Sequence, residues 1–198
     1  MTIREAADLT KDEILSLKRL SGQLNWVASQ TRPDLSFDVC SISNTGKSPK
    51  VKLMKDANKA LKRGKANKLA LIYPPLGDPK NFRIFVFSDA TYASLGDGAS
   101  QGAFIVFLQG ANGLIAPICW QSKKLHRVTK SPLASETLAV GEAADAGYLV
   151  ACMILEIFKL RSHPVINCCT DNKSLFETVE STTIPSDRRL RIDLSRII

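Results

Sequence analysis

Residues 82–89, Phe-Arg-Ile-Phe-Val-Phe-Ser-Asp, constrain this chain most. An aromatic and β-branched run of this length reads as a strand buried on at least one face. It ends on a serine and a carboxylate. A rigid strand end can deliver an acid to a site, so Asp89 is the first candidate and the rest of the chain is read for its partners. Residues 102–108 read as a second strand, and Gly110, Asn112 and Gly113 signal a hairpin. Residues 114–122 read as a third strand, in which Pro117 marks an edge or an irregularity. A basic connection over 123–131 leads to the longest helix, 132–158, with proline where a first turn tolerates it. Its small residues, among them Ala139, Ala143 and Gly147, allow close approach to a sheet. Residues 165–170 read as a fourth strand, 173–179 as a short helix and 187–198 as the first turns of a last helix, read as cut at Ile198. This order predicts an α/β fold: a mixed sheet with helices packed on it, the long helix forming the crossover between strands three and four.

Upstream, residues 11–27 keep a helical period, and Thr10 with Glu13 has capping-box spacing. Arg32-Pro33 breaks that helix. Residues 35–42 read as a second helix, 44–49 as a loop and 51–66 as a basic helix. Residues 68–73 are apolar and suit an extended conformation. Pro74, Pro75, Gly77 and Pro79 mark a hinge. The expected organisation is a helical segment over 1–73, a linker over 74–80 and an α/β domain over 81–198.

The net charge is +8. Between residues 44 and 68, Lys47, Lys50, Lys52, Lys55, Lys59, Lys62, Arg63, Lys65 and Lys68 face the single acid Asp56, whereas from residue 81 onward charges nearly cancel. The basic stretch is either a solvated face or a contact for a polyanion. Five cysteines without a C-x-x-C pair predict reduced, buried thiols and an intracellular setting, cytoplasmic or nuclear. The N-terminus does not read as a signal peptide, and the apolar run near 148–158 is interrupted by Glu156 and too short to span a bilayer. No membrane partner is expected.

Asp89 and Asp171 each end a strand, and those ends lie side by side if the strands are parallel neighbours. Glu136 sits in the first turn of the long helix, and Asp193 lies in an apolar context on the last one. Carboxylates converging from different elements repel unless a positive charge offsets them. Oxygen ligands without nearby His or Cys suit magnesium or manganese. A pair of such ions can activate a water and stabilise the leaving oxygen of a phosphodiester. Taken singly, an acid at a strand end or helix start is more often a cap or a surface charge, and the case rests on four of them in one order.

The order of these acids, in Ser88-Asp89-Ala90, Ser135-Glu136-Thr137, Thr170-Asp171-Asn172 and Arg191-Ile192-Asp193, resembles the Asp-Glu-Asp-Asp set of the RNase H fold. The phrases Ile118-Cys119-Trp120-Gln121-Ser122-Lys123-Lys124 and Ser131-Pro132-Leu133-Ala134-Ser135-Glu136-Thr137 are similar to the RNase H domain of copia-type retrotransposon polyproteins. Leu20-Ser21-Gly22-Gln23-Leu24-Asn25-Trp26 and Thr31-Arg32-Pro33-Asp34-Leu35 resemble the segment that joins reverse transcriptase to RNase H in those polyproteins. The resemblance covers nearly the whole chain. It implies an endonuclease that hydrolyses the RNA strand of RNA–DNA hybrids with two Mg2+ or Mn2+ ions. Asp89 would lie between the metals, with Glu136, Asp171 and Asp193 as further ligands. It also implies that residues 1–73 are a remnant of the reverse-transcriptase thumb and connection, with the reverse-transcriptase domain as a further partner.

Hybrid recognition requires contacts to backbone and to ribose 2′-hydroxyls rather than to base edges. Ser88, Thr91, Ser135, Asn172 and Ser174 flank the acids and offer hydroxyl or amide groups, although Ser88 and Ser135 are equally ordinary cap or strand-end residues. Lys123, Lys124, Arg127 and Lys130 form a basic loop that suits either phosphates or solvent. One departure stands out. Copia-type sequences usually carry a histidine just before the last aspartate, where this chain has Arg188-Arg189-Leu190-Arg191-Ile192. The alternative to a nuclease is a nucleic-acid-binding remnant of a retrotransposon polyprotein that keeps the fold and the basic surface without turnover.

Overall fold

The computed structural model describes residues 3–44, 48–95, 98–181, 186–195 and 197. Parts of three expected loops (Lys47, Gly96, Asp97 and 182–185) lie outside them, as does Ile198. Among the described residues the fold is mixed α/β, with four strands and helices packed around them.

The sheet comprises β1 (Arg83–Thr91), β2 (Gln101–Gln109), β3 (Ile115–Lys124) and β4 (Val165–Cys169), in the order β3-β2-β1-β4. β1 pairs antiparallel with β2 and parallel with β4, and β2 pairs antiparallel with β3. Both readings of Pro117 hold, because β3 is an edge strand and the register slips beside Pro117, between Val106 and Phe107 on β2.

The helix α4 (Pro132–Phe158) starts and stops where the sequence predicts. The Ser131 side chain accepts the Ala134 N–H, and Pro132 occupies the first turn, which needs no donor there. Lys159 closes the helix in the left-handed region, with its N–H donating to the Leu155 and Glu156 carbonyls. α4 is long and apolar enough to cross a membrane by length and composition alone. In this fold its Ala143, Val150, Ala151 and Ile154 are buried against Ile84, Val86, Val106 and Leu108. Gly147 sets how close the two layers come: a Cβ there would meet Val86 Cγ2 at 2.7 Å and Ile166 Cγ2 at 3.3 Å.

The helices α1 (Lys11–Gln30), α2 (Ser36–Ser43) and α3 (Val51–Ala66) build a second apolar core from Leu17, Leu24, Leu35, Val39, Ile42 and Ala57. The expected capping box is formed: Thr10 N–H donates to Glu13 Oε2 at 2.8 Å, and Glu13 N–H donates to Thr10 Oγ1 at 3.3 Å. The bonds that the Thr10 N–H and the Thr10 hydroxyl donate to the Glu13 carboxylate hold it below its ordinary pKa. Arg32 fastens the corner. Its guanidinium donates to both Asp34 oxygens at 2.8 Å and to the Gly64 carbonyl at 2.6 Å, tying the α1–α2 turn to the end of α3.

This helical unit meets the sheet on the face opposite α4. Trp120 Nε1–H donates to the Ala28 carbonyl at 2.8 Å. The buried Gln101 amide donates to the Phe37 carbonyl and to Ser122 Oγ, while its oxygen accepts from Ser41 Oγ. Residues 67–78 form no strand; Leu69, Ile72 and Tyr73 are exposed. The proline-rich stretch is tethered to the β2–β3 turn, where Asn112 Nδ2 donates to the Pro75 carbonyl at 3.0 Å. The short helices α5 (Lys173–Glu180) and α6 (Arg188–Leu194) complete the fold, Leu175 and Leu194 packing on Val140. All five cysteines are free; only Cys40 is fully buried and Cys168 is exposed, so the expectation of buried thiols holds for part of the set.

Candidate active site

The parallel ladder between β1 and β4 ends on the pair Phe87 and Cys169. Asp89 and Asp171 each follow two residues later, past the end of that ladder and on adjacent chains. Both are exposed. β1 continues its pairing with β2 as far as Thr91. Asp89 is therefore a strand end only toward β4, and there the amides of β1 lack a strand partner.

Glu136 fills that gap. It lies one residue past the first turn of α4, a step further along than the sequence suggests, and is only 7% exposed. Its carboxylate accepts the backbone N–H of Ala90. Its other face has no such support: Oε2 is buried and has no hydrogen-bond partner among the described residues. Burial, then the Asp89 charge, and more weakly the Asp171 charge push the Glu136 pKa from 4.5 up to about 7, against the opposing bond from Ala90. Two of the other sequence-predicted acids, Asp89 and Asp171, thus act electrostatically on Glu136.

The fourth is held elsewhere. Asp193 on α6 is ion-paired with Arg127, from the loop between β3 and α4, and it is not among the charges that act on Glu136. Among the described residues, no three His, Cys, Asp or Glu side chains stand close enough to hold a metal ion without moving.

The expected nucleic-acid contacts divide. Ser88 is half-buried, while Thr91 and Ser174 are exposed. Thr91 Oγ1 accepts from Ser94 Oγ at 2.9 Å. Asn172 caps α5, its side chain accepting the Leu175 N–H at 2.9 Å. Ser135 is fully buried, and its hydroxyl donates to the Pro132 carbonyl at 2.7 Å. Lys123 pairs with Glu142 at 3.2 Å, and Lys124 is half-buried at the end of β3. Sequence reasoning missed the Ala90 amide, because every residue carries one and only the early end of β4 frees it. It also missed the Arg127–Asp193 pair, whose members lie 66 residues apart.

A concavity of about 310 Å³ lies beside Asp89 where α2 meets the open sheet face, lined by Phe37, Phe87, Trp120 and Gln121. No protein-family model matches the chain, and no curated protein matches it.

Proposed function

We propose that this protein is a metal-dependent endonuclease of the RNase H type, retroelement-derived, that hydrolyses the RNA strand of RNA–DNA hybrids. The observation that carries the reading is the Glu136 carboxylate, buried with one oxygen unpartnered and repelled by Asp89 and Asp171. Oxygen ligands repelling one another in this way suit a hard divalent cation, which would take the place of the proton that Glu136 otherwise holds near neutral pH. Asp89, Glu136 and Asp171 would hold it, the two exposed acids moving to complete the set. Bound Mg2+ or Mn2+ would activate a water for attack and stabilise the departing oxygen.

The chain's own groups set the rest. The Ala90 N–H fixes the Glu136 carboxylate, so the two exposed acids are the movable ligands. With its pKa near 7, Glu136 sheds its proton as pH rises through neutrality, and cation binding is expected to strengthen over the same range. Asp193 joins only if it leaves Arg127, so Arg127 regulates whether the fourth carboxylate reaches the site. The concavity beside Asp89 gives the substrate strand room to approach.

The test is incubation of end-labelled RNA–DNA hybrid with the protein and Mg2+ or Mn2+. Cleavage confined to the RNA strand, abolished by Asp89→Asn, is expected. No cleavage by the parent, or equal cleavage by Asp89→Asn, would sink the reading. The Arg127–Asp193 pair favours a second reading, a nucleic-acid-binding remnant without turnover. That reading gains if hybrid binds with salt-sensitive affinity yet stays intact in both metals.

A further inference from the structure

The candidate site and the protein's positive charge lie in different halves of the chain. Residues 1–73 contain fourteen Lys and Arg against seven Asp and Glu; the other 125 residues contain thirteen against twelve. A polyanionic substrate approaching three carboxylates needs cations to offset its charge. Those in the site's own half are partly engaged, Lys123 by Glu142 and Arg127 by Asp193.

On α3 the situation is reversed. Lys55 pairs with Glu5 and Arg63 with Asp38. Lys52, Lys59 and Lys62 are exposed and have no ion-pair partner among the described residues. Lys52 and Lys59 stand two turns apart, with Lys62 one turn beyond, so the three share a face about 15 Å long. Over that length a duplex presents about nine phosphate charges. Asp56 is the only acid in the helix.

The surface between α3 and the site is concave. A hollow of about 600 Å³ between α2 and α3 is lined by Lys59, Lys62, Arg63, Asp56, Asp38 and Phe37. Phe37 also lines the concavity that contains Asp89, and it is 49% exposed where the two hollows meet. Gln101 holds α2, and with it Phe37, against the sheet. Phe37 therefore lines a hollow on each side of it, one reaching Lys59 and Lys62 on α3 and the other reaching Asp89.

We propose that α3 is the phosphate-binding track of this protein: Lys52, Lys59 and Lys62 grip the backbone of a nucleic-acid duplex whose strand runs along the α2 groove to Asp89. This rests on the nuclease reading for what happens at Asp89, but binding at α3 is separable from cleavage. The helical unit is then a substrate-holding element rather than a spacer.

Anisotropy titrations of a short labelled RNA–DNA hybrid in EDTA test this without turnover. The full chain is compared with the triple variant Lys52→Gln, Lys59→Gln, Lys62→Gln and with a charge-matched control, Lys80→Gln, Arg83→Gln, Arg161→Gln, at the opposite end of β1. Glutamine keeps helix propensity, and circular dichroism confirms that α3 persists. Three lost phosphate contacts reduce the salt slope by roughly 2.7. Between about 50 and 200 mM salt the parent should lose about 40-fold more affinity than the α3 variant. The control should follow the parent. Equal losses in both triples, an unchanged α3 triple, or no binding by the parent would overturn the proposal. Hybrid cleavage separates the two claims. α3-dependent binding with no cleavage in Mg2+ overturns the nuclease and leaves the track. Cleavage untouched by the α3 triple overturns the track and leaves the nuclease.

Discussion

Glu136→Gln isolates the central electrostatic feature. The wild-type carboxyl is raised from 4.5 to about 7 by burial and by Asp89 and Asp171. The folded protein therefore binds that proton more tightly than the unfolded chain does. Its favourable contribution is complete below about pH 4.5 and is lost as pH rises to about 7. At 1.36 kcal/mol per pKa unit the loss is at most roughly 3 kcal/mol, and solvent on the open side of Asp89 and Asp171 brings it to about 1–3 kcal/mol. Glutamine stays neutral, can still accept the Ala90 N–H and can donate toward the acids. In EDTA at pH 8 the variant should be more stable than the parent by that amount, about 2–12 °C in Tm for a chain of this size. At pH 5 the gap should nearly close. Thermal and urea unfolding at pH 5, 6, 7 and 8, followed by circular dichroism, measure it. A variant no more stable than the parent at pH 8, or a gap that does not vary with pH, would refute the reasoning.

Two structural predictions accompany it. Arg32→Ala removes bonds to Asp34 and Gly64 from a guanidinium only 10% exposed, and should cost about 2–3 kcal/mol in urea unfolding, with faster amide exchange in α2 and α3. Gly147→Ala would normally favour a helix, yet its Cβ would stand 2.7 Å from Val86 Cγ2, so a Tm lowered by an overpacking cost of about 1–3 kcal/mol is expected instead.

The elements easiest to read in the sequence carry their own local signals. α4 has Ser131 and Pro132 at its start and a continuous period, and its bounds match. The strands lie within a few residues of their expected spans because alternation and turn residues bracket them. Residues 68–73 look extended for the same apolar reason, but apolar character alone gives a strand no neighbour to pair with. That Asp89 and Asp171 both act on Glu136 follows from the order of elements once β4 is the parallel neighbour of β1. What the sequence leaves open depends on contacts between distant segments. Nothing near Asp193 announces Arg127, and nothing in Ser135 itself decides between a surface hydroxyl and one bonded to Pro132. The docking of α2 through Gln101 and Trp120, on which the groove to α3 depends, is of the same kind.

Crystals grown with Mn2+ and examined by anomalous scattering test the account most directly. A peak bounded by Asp89, Glu136 and Asp171 is expected, with Oε2 of Glu136 as a ligand, and it should be lost in Asp89→Asn. Crystals soaked to saturation with no peak at these residues, and Glu136 Oε2 still without a partner, would contradict it.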